Sequence, residues 1–423
     1  MEQLKFAGDV EIHDLSLIGK TGVVDIRQLM ASISIYEDLF SPFISGKITI
    51  KESLDLINQL PLIGEEFVDI HVSTPTFEGD SRILKGRFYV YKLSDKISLK
   101  DRESLYNLYF ISIEAIKDMN LRLTNAQSGY CSDIAYRLIR GDNDGLSTNK
   151  QYNIETSSNG IKFICNHWSP IRALNYTAEK SINKDGISSY LFFENRDGFN
   201  FISLNSLYKQ EPLQNFIVDN YDRTPNSKGE SIRDVEEDYK RAKELTMPKG
   251  FDFIDRLTKG MFNSTMTTYD LITKRFKRKY YDSVEDFSKL PHLNSNPLMS
   301  ANVISAPYSS SYNSIKHTAM HNGFEDVSNT DSFLLRNAAI ATAQGFRLQI
   351  TVPGRTDYTV GKVVTMKTFR SAPISSSDMD TVDPMYSGRY LIASINHDIS
   401  TKEHVCTIEL IKDSLISGIT ELA

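Results

Sequence analysis

Gly86-Arg87-Phe88, followed by Ile97-Ser98-Leu99-Lys100, returns later in the chain as Gly388-Arg389-Tyr390, followed by Ile399-Ser400-Thr401-Lys402, at the same internal spacing. Working outward, three further matches occur in the same order. Lys47-Ile48-Thr49-Ile50 matches Arg347-Leu348-Gln349-Ile350, Ile63-Gly64 matches Val360-Gly361, and Ile113-Glu114-Ala115-Ile116-Lys117-Asp118 matches Ile408-Glu409-Leu410-Ile411-Lys412-Asp413. The offsets are 300, 297, 302 and 295, a drift that loop insertions would cause. A fixed-period match of this kind is the mark of an internal duplication.

Each copy reads as β structure. Polar and apolar residues alternate over Lys47 to Ile50 and over Arg347 to Val352, the period of a half-buried strand. Gly86 to Leu93 and Gly388 to Ile395 are rich in aromatic and β-branched residues, with turn chemistry expected at Asp95 and at Asn396-His397-Asp398. Tyr106 to Ile113 and His404 to Ile411 are the returning strands. The expected class is α+β, mainly β, with two antiparallel β-barrel domains at 1–118 and 336–423 and a mixed α/β insertion at 119–335. Part of that insertion, near 199–220, is a candidate to complete the second domain.

The insertion has its own signals. Asp133 to Arg140 has helical spacing. Ser169-Pro170 is a helix start, followed by the apolar stripe Ile171, Leu174 and Ala178. Asn195-Arg196-Asp197-Gly198 reads as a hairpin turn between Ser189 to Glu194 and Phe199 to Leu204. Ser231 to Leu245 reads as a charged helix, and 288–332, rich in Ser, Asn, His and Pro, as extended or loop structure.

Composition narrows the function. Of 423 residues, 40% are hydrophobic and 24% charged, ordinary for a globular protein of two to four domains. A net charge of -6 disfavours a nucleic-acid binder, which needs a basic face. The basic run Lys274-Arg275-Phe276-Lys277-Arg278-Lys279 reads as a solvated face in preference to a DNA or membrane patch. Three scattered cysteines, Cys131, Cys165 and Cys406, form neither a disulfide framework nor a C-x-x-C pair. Met1 to Phe6 is too polar for a signal peptide, and no run approaches a membrane span.

Catalytic and metal-binding patterns are weak. Gly19-Lys20-Thr21 resembles the end of a phosphate-binding loop, but Asp14 stands where the loop needs its first glycine. His317 and His321 are four apart, with no glutamate after the first and a turn signal at Asn322-Gly323. Asp378, Asp380 and Asp383 resemble a calcium loop interrupted by Val382. No G-x-S-x-G motif and no locally supported Cys–His pairing is present, no carboxylate pair stands out, and Trp168 reads as a core residue on the following helix in preference to a sugar platform. No catalytic, cofactor-binding or metal residue is assigned, no cofactor is expected, and partner-binding residues are left open.

The repeated β domains, the Trp168-Ser169-Pro170 helix start, the Phe192-Phe193-Glu194 hairpin ending in Gly198-Phe199-Asn200-Phe201, the run Gly260 to Asp282, and Val352-Pro353-Gly354 leading into Gly388-Arg389-Tyr390 together resemble the baseplate hub proteins of contractile-tailed phages. This is the family of the T-even gene 27 product, related to the hub part of type VI secretion spike proteins. The resemblance implies two tail-tube-like domains per chain. It implies a homotrimer whose six such domains form a pseudo-six-fold ring joining the tail tube protein to the central spike protein. Baseplate wedge proteins are further implied partners, with genome DNA passing through the lumen without specific binding and no membrane insertion. The implied setting is the virion tail baseplate, after assembly in the host cytoplasm. Since no spike domain follows residue 415, the spike is expected as a separate chain. Other readings are a tube-adaptor or distal tail protein, which would form a true hexamer, a cell-wall glycan hydrolase, and a carbohydrate- or receptor-binding module.

Overall fold

The computed structural model describes residues 6–75, 83–99, 103–218, 235–250, 252–270, 274–298, 309–316, 332–370 and 382–418. The chain is mainly β, and thirteen strands join in one sheet. Seven come early: β1 Glu11–Gly19, β2 Gly22–Asp25, β3 Met30–Asp38, β4 Ser45–Glu52, β5 Phe67–Ser73, β6 Ile83–Ser98 and β7 Ser104–Ser112. Six come later: β8 Asn215–Ile217, β9 Glu244–Lys249, β10 Arg347–Pro353, β11 Val363–Lys367, β12 Gly388–Ser400 and β13 His404–Ile411.

The duplication is written in the pairing. The first set pairs in the order β3-β4-β7-β6-β5-β1, and the second in the order β9-β10-β13-β12-β11-β8. Each later strand holds the place of its earlier counterpart, in both chain order and sheet order. One irregularity matches as well. The β6–β7 ladder bulges between Val90 and Lys92, and the β12–β13 ladder between Ile392 and Ser394. Such a bulge kinks and twists the strand at one point, so its repetition marks a shared design. One strand departs: β8 runs parallel to β11, whereas β1 runs antiparallel to β5.

Alternation builds each core. Ile48 and Ile50 of β4, Val68, Ile70 and Val72 of β5, and Leu348, Ile350 and Val352 of β10 are all buried, with polar residues between them. Each such side chain contributes about 1.5–3 kcal/mol on leaving water. The early strands enclose one core around Ile33, Tyr106 and Phe110, and the later strands another around Phe346, Tyr358 and Tyr390.

The middle region rests on a third core. Helices Cys131–Arg140 and Pro170–Lys180 pack on the hairpin Tyr190–Asn195/Gly198–Ser203. Ser169 Oγ accepts from Arg172 N and caps the second helix, and Ile171, Leu174 and Ala178 are its buried stripe. No helix among the described residues is long and apolar enough to cross a membrane.

Three local expectations are corrected. The fourth repeat match pairs unlike elements, because Ile113–Asn120 is a helix while Ile408–Ile411 ends β13. The ladders equate Leu108 with Ile408 instead, since Leu108 faces Leu93 and Ile408 faces Ile395. Asp95 and Asn396 to Asp398 lie within strands and form no turns. Asp95 sits at φ 58 in a second bulge, its carboxylate accepting from Asn107 Nδ2 (2.9 Å), Ser94 Oγ (3.0 Å) and Tyr109 Oη (3.2 Å). Of the expected helix over Ser231 to Leu245, the described part is helical only at Val235–Lys240, and Glu244–Lys249 is strand β9. Pairing with β10 there outweighs local charge patterning. Within 288–332, Asn296–Pro297 pairs with Ser414–Leu415, and Ser309–Lys316 runs parallel to Asn263–Asp270 in a small separate sheet.

Candidate assembly interface

The two halves of the sheet meet at β3 and β12. Seven residue pairs form this seam, from Ser394 opposite Asp38 to Ser400 opposite Ser32. The length of β12 makes this possible. Its first residues, Gly388 to Leu391, pair with β11; past the bulge, the same edge is free to take β3. Side chains cross the seam in both directions. Ile399 of β12 is buried in the first core, and Leu39, just after β3, is buried in the second, its N–H donating to the Ala393 carbonyl at 2.7 Å.

Glu37 sits one pair in from the end of the seam, opposite Ile395. It is buried, and it accepts hydrogen bonds from Thr359 Oγ1 and from Val360 N (3.1 Å) while its Oε1 has no partner. Burial raises its pKa to about 7, against the opposing effect of those two donors. A second buried polar contact ties the middle region to the early strands. Glu194 accepts from Ile44 N (3.0 Å) and Ser112 Oγ, and Lys150 Nζ lies between Glu194 (2.6 Å) and Glu114 (2.7 Å). Burial opposes the charge on Lys150, but the two carboxylates together raise its pKa.

The duplication predicts where the seam is left unfinished. The counterpart of the β3-pairing half of β12 is β6 beyond Tyr89. β5 covers only Ile83 to Tyr89 on that edge, and among the described residues no strand covers the rest. The counterpart of β3 is β9, which pairs with β10 on one edge and with no strand on the other among the described residues. The side chains agree with an incomplete contact. Tyr91 is 48% exposed where its counterpart Ala393 is 1%, and Met247 of β9 is 48% exposed. Open strand edges bearing apolar side chains are ready sites for pairing with another chain.

The candidates weighed in the sequence fall elsewhere. Gly19-Lys20-Thr21 closes the β1–β2 hairpin, with Lys20 paired to Glu65. The basic run lies largely on the exposed strand Arg275–Asp282. Trp168 is half-buried, stacked on Phe163 (5.8 Å) and against Tyr176 (5.2 Å), with Arg172 over its ring at 4.9 Å. Asp383 accepts from Met385 N (2.8 Å) and Tyr386 N (3.2 Å); His317, His321, Asp378 and Asp380 lie outside the described residues.

One cluster was missed. Cys406 lies with His397 and His404, all buried, their ligating atoms within 4.8 Å of one another. The H-x-C spacing of His404-Val405-Cys406 puts both side chains on one face of β13, and His397 faces Cys406 across the hairpin. That strand-face spacing was the available signal for a Cys–His pairing.

No protein-family model matches the chain. It is 21% identical, over 99% of its length and 98% of the relative's, to a probable baseplate hub protein of Vibrio phage KVP40. Among solved structures, a tail protein from Neisseria meningitidis MC58 aligns with a TM-score of 0.56 at 12% identity, covering 95% of this chain and 96% of that one. The 43 kDa tail protein of prophage MuSo2 from Shewanella oneidensis aligns at 0.52 and 10% identity, covering 95% and 98%. The chain thus resembles phage baseplate hub and tail proteins from end to end, in sequence with the first and in fold with the others.

Proposed function

We propose that the chain is a structural baseplate hub, and that three copies close into a ring of six β units. The observation that carries the reading is the β3–β12 seam, whose two halves recur as β9 and the outer half of β6, each with no strand on the corresponding edge among the described residues. A contact that joins unlike surfaces repeats head to tail, and it closes into a ring when the rotation allows. In this reading, β9 of one chain pairs with β6 of the next, as β3 pairs with β12 within a chain. Three such joints alternate with three internal seams, giving a pseudo-six-fold surface suited to a tail tube on one side and a three-fold spike on the other. Wedge proteins would bind the outside, and DNA would pass through the centre without specific contacts. The role is structural and non-catalytic, exercised in the virion tail baseplate after assembly in the host cytoplasm.

Light scattering across a concentration series tests this. The expected species is near three times 48.0 kDa. A hexamer would favour a tube-adaptor protein instead. A monomer at every concentration, unchanged by added tube or spike protein, would refute the ring.

A further inference from the structure

We propose that His397, His404 and Cys406 form a buried site for one thiophilic d10 ion, zinc(II) or copper(I). The three ligating atoms form a nearly regular triangle: His397 Nδ1 to His404 Nε2 is 3.1 Å, His397 Nδ1 to Cys406 Sγ 3.2 Å, and His404 Nε2 to Cys406 Sγ 3.4 Å. An ion at the centre of such a triangle is about 1.9 Å from each corner. A small lift out of the plane brings it to the usual ~2.0–2.3 Å of Zn–N and Zn–S bonds. Two imidazoles and one thiolate suit zinc and copper(I) and disfavour magnesium and calcium.

Hydrogen bonding alone serves these atoms poorly. His397 Nε2 lies 3.1 Å from the Tyr358 carbonyl and donates to it, so His397 Nδ1 carries a lone pair. If His404 Nε2 is protonated and donates to that lone pair, the thiol proton finds neither nitrogen free. If it is bare, two nitrogen lone pairs face each other at 3.1 Å. An ion engages both nitrogens and the sulfur at once, and its binding releases only the thiol proton. The Tyr358 carbonyl would then orient His397, as the outer partner of a metal-bound histidine commonly does.

The site is built into the second half of the duplication alone. In the first hairpin Asp95 and Tyr106 stand at the matching positions, and there the ladder bulges between Ser94 and Ile97, where the second runs regularly through His397 and Cys406. Gly354 packs directly on the His404 ring, where an added Cβ would lie 2.2 Å from Cγ. The ion would pin the tip of the β12–β13 hairpin beneath the 353–358 loop.

The test is elemental analysis of untagged full-length protein, purified without chelator from cells supplied with zinc or with copper. The expected result is about one zinc or copper per chain, lost in Cys406→Ala and retained in Cys165→Ala. Which metal is found identifies the ion. Cobalt(II) bound by the wild-type protein should show a thiolate charge-transfer band, a readout that does not depend on Cys406→Ala folding. Wild-type protein that contains no zinc or copper and retains neither after gel filtration would overturn the proposal. So would metal bound equally by Cys406→Ala, or cobalt bound without the sulfur band.

Discussion

Ile97 and Ile399 match in the sequence repeat, yet Ile97 lies opposite Leu105 on the outer face of its hairpin and is 53% exposed, while Ile399 lies opposite His404 on the core face and is 0% exposed. The bulge at Asp95 turns Ile97 to the outer face, and β3 covers Ile399 while no strand among the described residues lies beside Ile97 on that edge. Ile97→Asp should therefore leave the monomer folded, with stability within about 0.5 kcal/mol of wild type, because it touches only surface. It should also weaken the ring, because it puts a charge on the strand with which a neighbour's β9 would pair. Ile399→Ala should do the reverse and destabilise the chain by about 2–5 kcal/mol through a cavity in the first core. Urea unfolding and light scattering on both variants separate the two effects. An Ile97→Asp protein that assembles as wild type does would remove β6 from the interface.

The Lys150 ammonium holds two buried carboxylates together, at 2.7 Å from Glu114 and 2.6 Å from Glu194. Removing one partner of a buried ionic cluster costs more than the cluster gains, because the remaining charges lose their compensation. Lys150→Met should destabilise the chain by about 3–5 kcal/mol. Adding Glu194→Gln should recover part of the loss, since the amide oxygen can still accept from Ile44 N. A double-mutant cycle by urea unfolding measures the coupling, and a cycle that closes additively would contradict the network.

Which parts of this architecture were readable from the sequence follows from where the burial lies. Ile48, Ile50, Leu348 and Ile350 alternate with polar residues because one face of each strand is buried, so the repeat and the β class were plain. β8 and β9 were not. Asn215–Ile217 is three residues long, and Glu244–Lys249 carries charge at both ends and a proline, so their place comes from pairing with β11 and β10. The Ile113 match misled because one apolar pattern serves a helix after β7 and a strand end in β13. The interface was hidden for a related reason. Ile97 and Ile399 are the same residue type at matching sequence positions, and it takes the bulge at Asp95 and the neighbouring β3 to tell them apart. The His397, His404 and Cys406 cluster depends on a cross-strand register that spacing along one strand reveals only in part.

Lys412 is buried, its ammonium bonded to the Met385 carbonyl and lying 5.2 Å and 4.9 Å from the Phe346 and Tyr390 ring centres. Burial lowers its pKa to about 7. The folded state then holds this proton less tightly than the unfolded chain, whose lysine titrates near 10.5. Its contribution is least favourable below about pH 7 and improves as pH rises towards 10.5. Lys412→Met should unfold at a higher urea concentration than wild type at about pH 6, with the gap shrinking at alkaline pH. A variant less stable than wild type at every pH would mean that the Met385 bond and ring contacts outweigh the burial of charge.

Glu37 gives the seam a pH dependence of the opposite sign. Its pKa is raised from 4.5 to about 7, so the folded chain binds the proton more tightly than the unfolded chain. The stabilisation is fully present below about pH 4.5 and is lost as pH rises to about 7, where the carboxylate ionises in its buried site. The shift corresponds to about 3 kcal/mol across that window. Glu37→Gln keeps an oxygen for Thr359 Oγ1 and Val360 N and carries no charge at any pH. It should therefore match wild type at about pH 4.5, exceed it in stability at about pH 8, and flatten the curve between. Because Glu37 lies between β3 and the later strands, the same change should slow hydrogen exchange across the β3–β12 ladder at about pH 8. Equal pH profiles for the two proteins would show that Glu37 is ionised throughout, held by the positive charge of Arg196, and would place the pH sensitivity of the seam elsewhere.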